Sequence, residues 1–175
     1  MPPTVVMDAD RIGRTLTRIA HEIVERNKGV EDLALVGVRT RGVPIARRIA
    51  RALKEITGDE IPTGALDITL YRDDLAEIGP AAVVRTTEIE FDVAGRYIIL
   101  MDDVLYTGRS IRAALAAIND LGRPKAIRLA ILVDRGGREL PIQPDFVGIT
   151  TNSEAEHVTV RLVGSDGVDR VEASA

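Results

Sequence analysis

Two short runs of the sequence, 33–38 and 97–101, carry no charged side chain, and a third, 127–133, is interrupted by one arginine only. A strand is apolar along its whole length when both of its faces are buried, as in a parallel sheet covered by helices. Segments with helical spacing lie between these runs. The sequence therefore predicts an α/β fold with a mostly parallel central sheet flanked by helices.

Periodicity and turn residues predict the other elements. Asp8 or Asp10 is placed to cap the first helix, and Pro44 suits the first position of the second helix, where its missing N–H costs nothing. Residues 72–88 show no clear core face, and a segment of this length is typical of an active-site lid or a disordered segment. The predicted helices cover 8–27, 44–58 and about 107–122. A further strand is predicted over 65–71, and two weak strands are predicted near 146 and over 158–163.

Composition narrows the class of protein. The chain has 175 residues, 45% of them apolar, which is the size of a single domain with a substantial core. It has no cysteine, which excludes a disulfide scaffold and a cysteine nucleophile and fits the cytoplasm. A net charge of −4 and five aromatic residues argue against a base-stacking nucleic-acid surface. Neither a targeting segment nor a membrane span is predicted.

Residues 98–110 carry the strongest chemical signal. An apolar strand delivers two adjacent carboxylates, Asp102 and Asp103, to its carboxyl end, and a Thr-Gly pair then opens a helix. The free amides and positive dipole of a helix N-terminus suit a phosphate, whereas carboxylates accept hydrogen bonds from vicinal hydroxyls. A sugar phosphate satisfies both halves. The predicted binding segment consists of Asp102, Asp103, Val104, Leu105, Tyr106, Thr107, Gly108, Arg109 and Ser110.

A plainer interpretation of the same segment is a turn followed by a capped helix. Two acidic residues alone would favour that interpretation, but the whole string of strand, carboxylates and helix start does not. Other phosphate-binding motifs fit worse. The Walker spacing of glycine and lysine is missing, and no Gly-x-Gly-x-x-Gly fingerprint occurs.

This segment resembles the phosphoribosyl-pyrophosphate (PRPP) signature of the type I phosphoribosyltransferases. The resemblance extends over most of the chain and is closer still to the bifunctional members, which are uracil phosphoribosyltransferases that also attenuate transcription of the pyrimidine operon. The matching strings are 14–22, 36–42, 66–75, 101–110 and 129–142. It implies the type I phosphoribosyltransferase fold, a mostly parallel sheet flanked by helices with a small hood.

The resemblance also implies roles for the other loops. Arg39, Thr40, Arg41 and Gly42 match the loop that holds the diphosphate, residues 72–88 with Arg72 and Arg85 match the lid, and Val133, Asp134, Arg135 and Gly136 match the uracil hood. It further implies that Asp102, Asp103 and Arg41 are catalytic and that Mg²⁺ is bound mainly through PRPP or diphosphate. Without this resemblance, residues 39–42 would be interpreted as a basic turn that caps a helix, and residues 72–88 as a solvated loop.

A second function, binding of the pyrimidine-operon leader mRNA in the presence of uridine monophosphate (UMP), is implied in the same way. The first helix presents a basic face built from Arg11, Arg14 and Arg18, and arginines of this kind contact RNA phosphates and bases. A solvated helix surface or a dimer contact are the alternatives. The predicted RNA-binding residues are Arg14, Thr17, Arg18, His21 and Arg138.

The sequence departs from these relatives at three positions of the expected RNA surface. Gly137 stands where a histidine is common, Gln143 where an arginine is common, and Ile149 where a basic residue is common. These changes spare the PRPP site, so a phosphoribosyltransferase that has lost RNA regulation, or one that uses another base, remains an alternative. The predicted partners are PRPP, uracil, UMP and leader mRNA, with a homodimer or higher homo-oligomer and no membrane.

Overall fold

A parallel sheet forms the centre of the computed structural model, which describes residues 2–79, 86–151 and 157–175. The strands are β1 (Thr4–Met7), β2 (Leu33–Val38), β3 (Thr63–Leu66), β4 (Tyr97–Leu105), β5 (Ala126–Asp134), β6 (Phe146–Thr150), β7 (His157–Arg161) and β8 (Arg170–Ser174). The helices are α1 (Ala9–Asn27), α2 (Gly42–Thr57), α3 (Leu75–Ile78) and α4 (Arg109–Leu121). Five of the described strands form the central sheet in the order β3-β2-β4-β5-β6, and every neighbouring pair is parallel.

The two faces of the central sheet are covered by different helices. On one face, α1 and α2 bury their apolar stripes against Leu33, Leu35, Ile99 and Met101. On the other face, α4 packs on the alternate residues of the same strands. Because the chain crosses to opposite faces after β2 and after β4, the carboxyl ends of these two neighbouring strands enclose a crevice, the usual ligand site of such sheets.

The first helix forms as its sequence predicts. Asp8 caps it, and the Asp8 Oδ1 accepts a hydrogen bond of 2.8 Å from the backbone N–H of Arg11. Its apolar stripe, which includes Ile12, Leu16 and Ile19, is buried in the core. The helix is therefore fixed both at its start and along one face.

Three predicted boundaries are wrong. The strand predicted over 65–71 ends at Leu66, because the carboxylate of Asp67 accepts hydrogen bonds from the N–H and the hydroxyl of Thr69, at 3.1 and 2.6 Å, and turns the chain into a 3₁₀ turn. The second helix begins at Gly42, two residues before Pro44. The fourth strand continues to Leu105, so the paired carboxylates lie within the strand.

A second, antiparallel sheet lies beside α1 and α2 and was largely missed from the sequence. Its order is β1-β8-β7, of which only β7 was predicted, over 158–163. Met7, Val160, Leu162 and Val171 bury their side chains in the same core cluster as α1 and α2. The four-residue β1 is too short to show a clear alternation, which explains why the sequence did not reveal it.

No helix in the described part of the chain is long and apolar enough to cross a membrane.

Candidate active site

The predicted diphosphate loop and the paired carboxylates lie on neighbouring strands. Gly37 of β2 is in register with Met101 of β4, so residues 39–42 leave β2 directly beside Asp102 and Asp103. A cavity of about 260 Å³ lies between them. Its lining comprises Val38, Arg39, Thr40, Arg41, Asp67, Ile68, Thr69, Arg72, Asp102, Asp103 and Ser110. The structure therefore brings six of the thirteen predicted PRPP-binding residues to one cavity, namely Arg39, Thr40, Arg41, Asp102, Asp103 and Ser110.

Two glycines let these segments approach each other. A Cβ atom on Gly42 would lie 2.3 Å from the carbonyl oxygen of Met101, and one on Gly37 would lie 2.4 Å from the carbonyl oxygen of Gly42. No side chain fits at either position without moving the backbone. The close contact holds the loop against β4, and the Arg39–Thr40 peptide bond within the loop is cis.

Asp102 and Asp103 are adjacent on β4, and their carboxyl groups interact directly. Each Oδ1 accepts a 2.8 Å hydrogen bond from the next backbone N–H along the strand, from Asp103 and from Val104 respectively. Burial raises the pKa of Asp102 well above its usual range, and the neighbouring Asp103 carboxyl raises this pKa further through its charge and a hydrogen bond. Asp102 therefore holds a proton more readily than an exposed carboxyl, while the remaining oxygens of the pair can face a ligand.

The start of α4 completes one side of the site. Gly108, the residue that precedes the helix, has a φ of +93°, a conformation that favours glycine. The first amides of a helix have no partner within it, and Thr107 Oγ1 accepts from the Arg109 N–H at 3.2 Å. The Ser110 side chain borders both this helix start and the main cavity. This arrangement suits the phosphate that the sequence predicts there.

Three residues of the predicted PRPP-binding segment do not line the main cavity. The guanidinium of Arg109 is paired with Asp73 and Glu139, both at 2.8 Å, so it braces the lid and the hood. Leu105 is buried in the core, with only its backbone carbonyl accepting from the N–H of Arg135. Tyr106 turns its half-exposed ring toward the hood rather than into the main cavity.

The lid begins with a short charged turn. Arg72 forms a bidentate ion pair with Asp74, at 2.9 and 2.7 Å, and α3 follows directly. A smaller cavity of about 200 Å³ lies between this turn and the start of α4. Arg85, the other residue predicted in the lid, lies outside the described residues.

The hood is held together by Arg138. Its guanidinium donates to Asp134 at 2.7 Å and to the backbone carbonyls of Ile142 and Tyr106, at 2.7 and 3.0 Å. Burial pushes the pKa of Asp134 up, but the hydrogen bonds from Arg138 and from the Gly136 N–H outweigh it and hold this pKa below its usual range. Arg138, predicted to bind RNA, is thus mainly engaged inside the protein.

The predicted uracil hood has one exposed aromatic surface. The Arg135 guanidinium stacks 3.9 Å above the centre of the Tyr106 ring, while Val133 is fully buried beneath the hood. Gly137 has a φ of +79°, and a Cβ atom there would lie 2.3 Å from Tyr106 Cε2. The ring of Tyr106 therefore occupies the space that a larger residue at position 137 would need.

One site contact was missed from the sequence altogether. Asp166, in the loop between β7 and β8, binds Arg41 of the diphosphate loop through two hydrogen bonds, Nε to Oδ2 at 3.1 Å and Nη2 to Oδ1 at 3.0 Å. The hydrogen bond to Asp166 raises the pKa of Arg41, although burial opposes it. Nothing in the turn-rich segment 164–169 signalled that it would reach the site.

The basic face of α1 lines a separate groove. Arg11, Arg14, Thr15 and Arg18 border a space of about 350 Å³ together with Gly148 and Ile149 of β6. Arg18 also donates to Glu22 at 2.6 Å and to the carbonyls of Val147 and Gly148. Thr17 and His21, predicted to bind RNA with Arg14 and Arg18, are exposed beside the groove rather than in its lining.

Comparisons with known proteins agree with this geometry. The model of the phosphoribosyl transferase domain matches residues 6–163. The chain is 61% identical over 168 residues to a bifunctional protein PyrR of Thermus thermophilus, covering 95% of this chain and 93% of the relative. It is 56% identical over 172 residues to a bifunctional protein PyrR of Deinococcus radiodurans, covering 98% and 94%.

Solved structures show the same fold at low sequence identity. The hypoxanthine phosphoribosyltransferase of Trypanosoma cruzi has a TM-score of 0.74 at 15% identity, with 97% of this chain and 95% of that chain covered. A hypoxanthine-guanine phosphoribosyltransferase of Bacillus anthracis has a TM-score of 0.74 at 12% identity, with both chains fully covered. At such identities the likeness concerns the fold alone.

Proposed function

Because the chain belongs to the phosphoribosyltransferase family and, within it, to the bifunctional PyrR proteins, we propose that it transfers the phosphoribosyl group of PRPP to uracil. The products are UMP and diphosphate. We further propose that it acts in the cytoplasm. The observation that carries the proposal is the convergence of a basic loop, two carboxylates and a helix N-terminus on one cavity.

Each part of the cavity matches one part of PRPP. The start of α4 suits the 5-phosphate, Asp102 and Asp103 suit the two ribose hydroxyls, and residues 39–42 suit the diphosphate. Uracil then lies toward the hood. The site thus fixes C1 of the ribose between the leaving group and the base, and positioning of this kind contributes much of the rate of an enzyme.

The reaction needs no protein nucleophile. As the bond from C1 to diphosphate breaks, positive charge develops on the ribose ring. N1 of uracil forms the new bond to C1 and gives up its proton to water or to the departing diphosphate. The negative charge of the Asp102–Asp103 pair stabilises that positive charge, and Arg41 stabilises the negative charge on the departing diphosphate.

The residues fit an Mg²⁺ ion that is bound mainly through PRPP. No cluster of three or more metal-binding side chains occurs among the described residues, whereas Asp67, Asp102 and Asp103 line the cavity and can hold the waters of such an ion. When bound, Mg²⁺ supplies charge neutralisation to the diphosphate.

The test is an assay of UMP formation from uracil and PRPP with Mg²⁺. We expect the wild type to form UMP and the double variant Asp102→Asn/Asp103→Asn to form none. Asp59→Asn, an exposed carboxylate at the opposite end of the sheet, serves as the control and should leave the rate unchanged. Near-normal turnover in the double variant would contradict the assignment of Asp102 and Asp103 as catalytic residues. A panel of other bases distinguishes uracil from purines and orotate.

A second function, UMP-dependent binding of the pyrimidine-operon leader mRNA, is favoured by the arginine-lined groove beside α1. Arg11 donates a 2.9 Å hydrogen bond to the backbone carbonyl of Val6, and Arg18 donates to the carbonyl of Gly148. Arg14 lies between these two arginines in the lining of the groove. Such a groove binds phosphates without aromatic stacking. Of the three departures, Ile149 places an apolar side chain in the lining of this groove, whereas Gly137 and Gln143 are not among its lining residues.

A gel-shift experiment on the leader RNA, with and without UMP, tests this function. We expect Arg14→Ala to weaken binding strongly, whereas Arg51→Ala, an exposed arginine on α2, should leave it nearly unchanged. Equal weakening by both variants, or no shift for the wild type, would contradict the role of the groove. A homodimer or higher assembly remains a prediction, which light scattering after size exclusion checks.

A further inference from the structure

The loop that joins β7 to β8 reaches from the small sheet to the diphosphate loop. Leu162 and Val171, at its two ends, are fully buried in the core. Between them, the N–H groups of Ser165 and Asp166 donate to the carbonyl of Leu162, at 3.1 and 2.7 Å. The loop is therefore anchored at both ends and closed by its own hydrogen bonds.

Two carboxylates of this loop each form two hydrogen bonds with an arginine, one in the diphosphate loop and the other in α2. Asp166 binds Arg41 through the two hydrogen bonds described above, and its Oδ2 also accepts from the N–H of Leu162 at 2.9 Å. Asp169 binds Arg48 through two hydrogen bonds of 2.7 Å, and its Oδ1 accepts from the N–H of Val163 at 2.8 Å. Each carboxylate is thus fixed by its own loop before it meets its arginine.

The two pairs differ in what the arginine faces. Arg41 lines the cavity between the diphosphate loop and the paired carboxylates, whereas Arg48 lies outside that lining. Asp166 engages Nε and one edge of Nη2, which leaves the donors on the other edges of the Arg41 guanidinium available. Asp166 is only 13% exposed and therefore makes a well-defined anchor.

Without this anchor, Arg41 has a competing partner on the other side. Asp103 lies close enough to raise the pKa of Arg41 through its charge. An arginine side chain has considerable rotamer freedom, so an unanchored Arg41 would turn toward Asp103 and neutralise a carboxylate that the ribose needs. The backbone of the loop cannot correct this, because Gly42 is already wedged against Met101.

We propose that Asp166 is a positioning residue of the transferase reaction, which holds the guanidinium of Arg41 toward the departing diphosphate and away from Asp103. The inference rests on the function proposed above. It assigns to the loop after β7 a part in binding the leaving group, although the loop lies far from the site in sequence. Asp169 stabilises the same loop through its pair with Arg48 but does not position a residue of the cavity.

The experiment compares Asp166→Asn with the matched variant Asp169→Asn. Each removes one carboxylate–arginine pair from the same loop, so each is expected to lower Tm to a similar degree. Only Asp166→Asn should lower kcat/KM for PRPP, by about 10²-fold, because a displacement of about 1 Å in a positioning group has that effect. It should also weaken inhibition by added diphosphate, with the KM for uracil unchanged.

A double-mutant cycle separates positioning from stability. In an Arg41→Ala background, adding Asp166→Asn should change kcat/KM little, since Asp166 acts through Arg41. Asp166→Glu, which keeps the charge and moves the carboxylate by one methylene, should fold and give an intermediate kcat/KM.

The outcomes are distinguishable. If the wild type forms UMP and both Asn variants lose activity only in proportion to Tm, or if the two losses in the cycle are additive, the positioning role is overturned and the proposed function stands. If the wild type forms no UMP and binds no diphosphate, both are overturned.

Discussion

Replacing Gly42 with alanine tests whether the close packing of the diphosphate loop on β4 sets the geometry of the site. The new Cβ atom would lie 2.3 Å from the carbonyl oxygen of Met101, 3.2 Å from its carbonyl carbon and 3.3 Å from Asp102 Cα. All three are backbone atoms, so no rotamer change relieves the clash. Because ordinary contact begins at 3.4 Å, the loop and the strand must separate by about 1 Å.

That separation moves Arg41 away from the carboxylates. We expect kcat/KM for PRPP to fall by about 10²-fold, the usual effect of a shift of about 1 Å in a catalytic group. The added methyl group should also lower the free energy of unfolding by about 1–3 kcal/mol, as overpacking does. For a protein of this size each kcal/mol lowers Tm by about 2–4 °C. Initial rates of UMP formation and calorimetric melts measure the two effects.

Gly13→Ala is the matched control. Gly13 lies on the exposed side of α1, and a Cβ atom there meets nothing within 4 Å. Alanine should stabilise this helix by about 0.5–1 kcal/mol, because glycine loses more backbone entropy on folding. Activity should not change. A Gly42→Ala variant with the rate and Tm of the wild type would refute the claim that this contact positions the loop.

Three further predictions concern stability. Burial and the adjacent carboxyl raise the pKa of Asp102 in the folded protein. In the unfolded chain Asp102 loses its proton above the ordinary carboxyl pKa of about 3.9, so the folded state loses stability relative to the unfolded state as pH rises from there. Asp102→Asn should therefore melt higher than the wild type at pH 8 but not at pH 3, while losing activity. Equal Tm differences at both pH values would contradict this. Asp8→Ala removes the α1 cap and should cost about 1 kcal/mol in urea unfolding, whereas Asp10→Ala should cost less. Gly137→His must strain a φ of +79° and displace the Tyr106 ring, so it should lower Tm, and a rise in Tm would show that the hood repacks without cost.

The central sheet and the core of the site could be predicted because local sequence determines them. The uninterrupted apolar runs of β2 and β4 indicate burial on both faces, and the carboxyl ends of such strands meet at one edge. Asp102, Asp103 and the loop 39–42 follow these strands directly. Their convergence on one cavity therefore needed only the chain order and the parallel sheet.

Contacts between distant segments could not be predicted. The pairing of Arg41 with Asp166 joins residues 125 positions apart, and no local pattern records such a partner. The same holds for Arg138, whose basic character suggested RNA while its carbonyl and carboxylate partners in the hood were invisible in the sequence. The strand predicted over 65–71 ends early because Asp67 accepts hydrogen bonds from Thr69, and this local side-chain turn replaces the extended backbone.

The pairing of β1 with β8 joins Thr4 to Ala173, near opposite ends of the described chain. During synthesis, the segment that forms β1 is made long before the segment that forms β8, so it stays without this neighbour while the residues between them are translated. The parallel strands β2 to β6 and the two PRPP loops have all emerged by then. The small sheet, which includes the strands on both sides of the loop that binds Arg41, therefore forms only after the strands of the central sheet have been made. The chain thus contains the loop 39–42 and the paired carboxylates before it contains Asp166, the partner of Arg41.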